Sequence, residues 1–236
     1  MALTQKTALI TGGTKGIGYG IAEALLKEGV NVAITGRDEK AGKSAAAALQ
    51  KAGSAKVLFI QCDVRDQQSQ QNAVDKVMSE WGRLDVLVAN AGVGHFAPID
   101  ELSVEKWKAT IDINLTGVFL SIKTSLEALK RSKGYIITIS SLAGTNFFAG
   151  ASAYNASKFG LTGFTQAAML DLRKYGIKVT TIMPGSVATE FNNHQPGPED
   201  AWKIQIEDLG QIVVDLLRMH PRTLPSKIEV RPSMPK

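Results

Sequence analysis

Apolar residues in this chain gather into short blocks, and between the blocks they recur at helical spacing. Seven blocks predict strands: Thr7–Thr11, Asn31–Thr35, Lys56–Gln61, Asp85–Ala89, Gly134–Ser140, Ile177–Met183 and Lys227–Arg231. Helices fill the intervals, because a strand that returns parallel to its predecessor needs a crossover of that kind. Several blocks, such as Val86-Leu87-Val88 and Ile136-Ile137, are apolar throughout rather than alternately, so both faces of the sheet must be covered. The pattern predicts an α/β fold with a doubly wound parallel sheet of about seven strands. Nothing resembles a repeat or an interdomain linker, so residues 1–236 are read as one domain. The only Pro/Gly-rich interruption, Pro184 to Pro198, follows the sixth strand and is read as an active-site lid.

Composition narrows the function classes. No apolar run is long enough to span a membrane, and the segment before the first strand is too short and polar for a secretory signal, so a cytoplasmic protein is expected. One cysteine, Cys62, cannot form an internal disulfide. His95, His194 and His220 lie too far apart for a local metal motif, so no metal is expected. The formal charge of +5 is scattered among acids rather than massed in one block, which argues against nucleic acid and fits an anionic small molecule.

The first strand runs into Thr11-Gly12-Gly13-Thr14-Lys15-Gly16-Ile17-Gly18 and then a helix. Backbone turning there can approach a pyrophosphate at a helix N-terminus, which makes Gly12, Thr14, Lys15, Gly16, Ile17 and Gly18 candidate cofactor residues. After the second strand the chain reads Gly36-Arg37-Asp38, and Arg37 comes first of the charged residues, where an acid would instead meet the ribose of NAD. Its guanidinium, with Lys15 as a second cation, suits the 2′-phosphate of NADP(H). Asp38 is the counter-argument: if the strand ended one residue later, its carboxylate would meet the ribose and NAD(H) would be the cofactor.

Tyr154 and Lys158, four residues apart at the start of a helical stretch, project from the same face. A phenol titrating near 10 is a poor acid/base at neutral pH, and an adjacent ammonium, with a nicotinamide positive in its oxidised form, is expected to lower it. Taken alone the two residues are also what an exposed pair one helical turn apart looks like. Ser140-Ser141, closing the fifth strand, offers a hydroxyl for a substrate oxygen on which charge develops.

Thr11-Gly12-x-x-x-Gly16-x-Gly18, Asn90-Ala91-Gly92, Asn114, Ser141, Tyr154-x-x-x-Lys158 and Pro184-Gly185 occur in that order. Together they resemble the short-chain dehydrogenase/reductase family in its single-domain branch, over essentially the whole chain. The resemblance implies a Rossmann-like sheet and a catalytic set of Asn114, Ser141, Tyr154 and Lys158. Tyr154 would act as general acid in reduction, Ser141 would position the carbonyl, and Lys158 would bind the nicotinamide ribose and tune Tyr154. Asn114 would hold a water linking the lysine to solvent; by itself it reads equally as a surface residue or a helix kink. Ser141 rather than Ser140 has the family's spacing to Tyr154. Asp63 and Val64 would meet the adenine, Asn90 and Gly92 would line the cleft, and Pro184, Gly185, Val187 and Thr189 would meet the nicotinamide.

The segment Thr145 to Ala149, with Phe147 and Phe148, and the lid from Phe191 to Trp202 are expected to border the substrate. Their aromatic residues favour an apolar ketone or aldehyde, while Asn146, Asn192, Asn193 and His194 could orient a polar substituent. Lys227-Ile228-Glu229-Val230-Arg231-Pro232 departs from the Gly-Gly ending frequent in the family, so either a homodimer or a homotetramer is expected, associated through Lys106–Ser132 and Ser152–Tyr175. The leading functional expectation is NADPH-dependent reduction of a ketone or aldehyde. Reduction of 3-oxoacyl thioesters shares every catalytic residue, and a non-catalytic NADP(H) sensor would use the fold alone.

Overall fold

A computed structural model describes residues 3–234. Its seven strands are β1 (Thr7–Ile10), β2 (Asn31–Gly36), β3 (Val57–Gln61), β4 (Val86–Ala89), β5 (Tyr135–Ile139), β6 (Lys178–Pro184) and β7 (Lys227–Val230). Each end falls within one residue of the sequence reading. The strands form one parallel sheet in the order β3-β2-β1-β4-β5-β6-β7. Seven α-helices cross between or follow them: α1 (Gly16–Lys27), α2 (Glu39–Leu49), α3 (Gln67–Trp81), α4 (Val104–Ile111), α5 (Gly117–Ser132), α6 (Ser152–Leu172) and α7 (Ile206–Arg218).

The continuous apolar blocks have the predicted cause. Ala8 and Ile10 of β1 face a core shared with α1, α2 and α7, while Leu9 between them faces a second core with α3, α5 and α6. Complete burial of Ile10, Leu87, Ile136 and Ile137 stabilises the sheet by about 1.5–3 kcal/mol per side chain. Asp85 fixes the start of the central strand pair: its buried carboxylate accepts from Thr7 N (2.9 Å) and from the Arg83 guanidinium (2.7 and 2.8 Å).

Strand order reverses between β1, which pairs with β2, and β4, which pairs with β1 and then β5. A crevice opens at the carboxyl ends of strands around such a switch point. Within the stretch Lys106–Ser132, α4 and α5 are joined by a π-helical turn, Asp112–Thr116, with Asn114 inside it.

Candidate active site

The crevice is a cleft of about 1410 Å³ along the carboxyl edge of the sheet. Of the catalytic and cofactor residues chosen from the sequence, all line it except Gly18 and Asn114; of the residues expected to border the substrate, Phe148, Phe191, Asn192, Asn193 and His194 line it, whereas Asn146 and Phe147 do not. Gly18 and Asn114 support the cleft from behind. A Cβ on Gly18 would lie 2.5 Å from Asn90 Nδ2 and 2.6 Å from the Gly12 carbonyl oxygen, so only glycine lets the loop close over the end of β4. Asn90 Nδ2 donates to the carbonyls of Thr11 and Gly12 (3.0 Å each), and Thr11 Oγ1 accepts from the backbone N–H groups of Asn90 and Ala91 (3.0 and 3.1 Å). The loops after β1 and β4 are thereby locked together. No side chain caps the start of α1, so its first N–H groups keep their capacity to meet an anion.

The second strand ends at Gly36, one residue beyond the sequence reading, and both Arg37 and Asp38 line the cleft, so it is what the two side chains engage, not the strand end, that separates them. Arg37 is the first residue beyond the strand and lines the cleft. The Asp38 carboxylate caps α2 by accepting from Ala41 N at 2.9 Å. Asp63 also has a partner the sequence did not suggest: its carboxylate bonds Arg65 through Nε (3.0 and 3.1 Å) and Nη2 (2.5 Å). That pairing holds Asp63 below the usual carboxylate range.

Asn114 is fully buried, neither a surface residue nor a passive kink. Its Oδ1 accepts from Val93 N (2.8 Å), and its Nδ2 donates to Val93 O (2.9 Å) and Ser157 Oγ (3.0 Å). The amide thus clamps the loop after β4 to α6, from a π turn of the kind that recurs at functional sites. On α6, Tyr154 is half-buried and open to the cleft, and Lys158 lies one turn on, buried. Lys158 Nζ donates to Ile139 O at 2.9 Å and stands 5.7 Å from the centre of the Tyr154 ring.

Burial lowers the Lys158 ammonium to about 8. The lysine by itself does not give the expected lowering of Tyr154: burial raises the phenol above its ordinary value, and the Ser141 hydroxyl opposes the rise.

The two serines part company as their spacing implied. The Ser140 hydroxyl is buried against Thr162 Oγ1 (2.9 Å) and Lys158 O (3.3 Å). Ser141 Oγ accepts from Ala143 N (3.1 Å) and donates weakly to Pro184 O (3.4 Å), at the edge of the cleft beside Tyr154. Gly185 N donates to Val230 O (2.8 Å), and Val187 bridges to Ile204, which aligns the segment carrying Thr189 along the cleft. The lid contains two short 3-10 turns, Phe191–Asn193 and Pro198–Asp200.

His95 and Phe96, after β4, also line the cleft. From the sequence, His95 is weighed only as a metal ligand and Phe96 is not singled out. The available signal was position: a loop leaving the carboxyl end of a strand at the switch point.

A phenol poised to exchange a proton, at the end of a sheet whose switch point carries a phosphate cradle, defines a site for hydride transfer at a carbon–oxygen bond. Residues 6–199 match the short chain dehydrogenase family, and the chain belongs to it as an oxidoreductase acting on CH–OH or C=O groups. Among its relatives is a trans-4-hydroxycyclohexanecarboxylate dehydrogenase of Sinomonas cyclohexanicum, 38% identical over 192 residues, covering 79% of this chain and 74% of that protein. A 3-oxoacyl-[acyl-carrier-protein] reductase of Chlamydia muridarum is 36% identical over 190 residues, covering 80% and 77%. A metagenomic short-chain oxidoreductase solved in complex with NADP superposes with a TM-score of 0.86 at 32% identity, over 100% of both chains.

Proposed function

We propose that the protein is an NADP(H)-dependent carbonyl reductase, interconverting a ketone or aldehyde and its alcohol within a single domain spanning residues 1–236. The observation that carries this reading is one cleft with an uncapped helix start and Arg37 among its cradle residues and the Ser141–Tyr154–Lys158 group at the reacting end. The residues fit the cofactor: Gly18 leaves no room for a side chain behind the cradle, Arg37 and Lys15 supply positive charge, and Asp38 is engaged as a helix cap. When bound, the reduced nicotinamide supplies the hydride.

The chain's own residues handle the oxygen and its proton. Ser141 Oγ donates a hydrogen bond to the substrate oxygen and orients the carbonyl. The raised phenol stays protonated at neutral pH, so Tyr154 Oη holds a proton to give to the developing alkoxide. Lys158 Nζ, when charged, favours the phenolate that remains; its value of about 8 keeps it mostly charged at pH 7. Asn114 holds the loop and α6 at fixed separation around this group.

NADPH and NADH oxidation against ketones, aldehydes and a 3-oxoacyl thioester tests the reading. NADPH-preferring ketone turnover that Tyr154→Phe abolishes is the expected result. Full turnover by Tyr154→Phe overturns the mechanism. The second reading, 3-oxoacyl-thioester reduction, draws on the Chlamydia muridarum relative and predicts faster turnover of the thioester. Cofactor binding without turnover of any carbonyl would favour a sensor.

Assembly as a homodimer or homotetramer is also proposed. Trp107, Phe119, Phe159 and Leu170 expose apolar surface on α4, α5 and α6, and Phe119 packs edge-on against Phe164 at 6.1 Å. Light scattering that shows only monomer would refute it. A cytoplasmic location is in keeping with a free, buried Cys62, and no described helix is long and apolar enough to cross a membrane.

A further inference from the structure

We propose that Phe96, Phe148 and Phe191 make this site selective for ketones whose carbonyl carbon belongs to, or is bonded directly to, a carbon ring, over open-chain carbonyls of similar size. The inference rests on the carbonyl-reductase reading and names its substrate class. The three rings come from separate segments, the loop after β4, the loop after β5 and the lid, and meet beside the acid/base phenol. The Phe96 ring centre lies 5.2 Å from that of Tyr154, and Phe191 lies 5.7 Å from it. Phe96 in turn contacts Phe148 at 6.1 Å and Phe191 at 6.5 Å.

The backbone is shaped to admit these rings. A Cβ on Gly94 would lie 2.6 Å from Phe191 Cζ and 2.8 Å from Phe96 Cε2, so any side chain there would displace both. After Phe191 the lid turns through Asn192 and Asn193, both left-handed (φ 55° and 60°), a conformation asparagine tolerates better than most residues. Phe96 and Phe191 are each 39% exposed and Phe148 53%, leaving apolar surface for a ligand to cover.

The buried carboxylate of the lid is answered by nearby cations. Lys203 Nζ and His194 Nε2 each lie 2.5 Å from the buried Asp200 carboxylate, which also accepts from Gly197 N. His95 and Glu190 line the cleft as well. A carbonyl seated on Ser141 and Tyr154 therefore sets its carbon skeleton against phenyl rings. A ring offers them apolar area without internal rotations to freeze, whereas an open chain must lose several. The expected preference is about tenfold in kcat/KM, the order expected of one aromatic contact.

The experiment compares cyclohexanone and acetophenone with 2-hexanone and a 3-oxoacyl thioester, using NADPH, in the parent enzyme and in Phe96→Ala, Phe191→Ala and Gly94→Ala. NADPH binding, followed by fluorescence, checks that each variant folds. The parent is expected to prefer ring ketones about tenfold, and each variant to lower the ring-to-chain ratio by about that factor. A parent that turns over 2-hexanone or the thioester at least as well, or folded variants with an unchanged ratio, overturns the inference while the reductase stands. A parent that binds NADPH and reduces no carbonyl removes the reductase reading and this inference with it.

Discussion

Lys158→Met removes a buried ammonium and keeps most of its chain length, so it isolates the electrostatic term at the centre of the site. Burial takes the ammonium from its ordinary 10.5 to about 8, which corresponds to about 3 kcal/mol against the charged form at pH 7. Methionine removes that penalty. It also leaves Ile139 O without its 2.9 Å donor, which costs about 1–2 kcal/mol. The variant is therefore expected to be more stable than the parent by about 1–2 kcal/mol at pH 7, or about 2–8 °C in Tm for a chain of this size. The pH dependence gives a second, independent sign. The folded pKa lies below the unfolded one, so between about 8 and 10.5 the unfolded chain holds more protons and the parent's stability rises with pH. Raising the pH from 7 to 9.5 should shrink the gap by about 2 kcal/mol. Urea denaturation of both proteins at the two pH values measures it, and the difference cancels every other titrating group. A variant less stable than the parent at pH 7, or a gap that does not move with pH, would refute the reasoning.

Three further outcomes follow from the same geometry. Arg37→Ala should raise KM for NADPH about tenfold to a hundredfold and leave KM for NADH nearly unchanged; an equal loss with both cofactors would place the 2′-phosphate elsewhere. Gly18→Ala forces a Cβ against Asn90 and the Gly12 carbonyl, and chemical denaturation should register about 1–3 kcal/mol of lost stability; no loss would mean that the loop has slack. Asp200 is held down to about 2, first by Lys203 and then by His194, so its contribution is present above about pH 4 and is lost as pH falls through about 2. Asp200→Asn should speed amide hydrogen exchange across residues 194–203 at neutral pH, and unchanged exchange there would show that the carboxylate does not hold the lid.

The sheet was legible because its central strands are buried on both sides, which leaves apolar blocks that helices do not imitate. Most of the cleft was legible because glycine spacing and the Tyr154/Lys158 interval are local properties of sequence. What escaped depends on contacts or on backbone phase. Helical periodicity carries no mark of the π turn, so Asn114 read equally as a surface residue or a kink. Phe96 sits in a loop where no period applies, and its role emerges only from rings contributed by two other segments. Asp38 could have been assigned from its place before a helical stretch, where aspartate is a favoured cap. The direction of the Tyr154 shift depends on how much protein surrounds the pair, which four-residue spacing does not encode.

The π turn has a genetic reading. Such a turn is an α-helix holding one residue too many, and the surplus is accommodated by a wider, poorer hydrogen-bond pattern. Deleting one residue between 112 and 116 would let α4 and α5 fuse into a regular helix, an easy repair for the backbone. The flanking helices would stay nearly in phase, because the turn only absorbs the surplus residue, but the side chains within 112–116 would be re-aimed. Asn114 would then leave Val93 and Ser157, and the floor of the cleft would lose its brace. The extra residue costs the helix regular hydrogen bonds and in return holds the brace of the site in place.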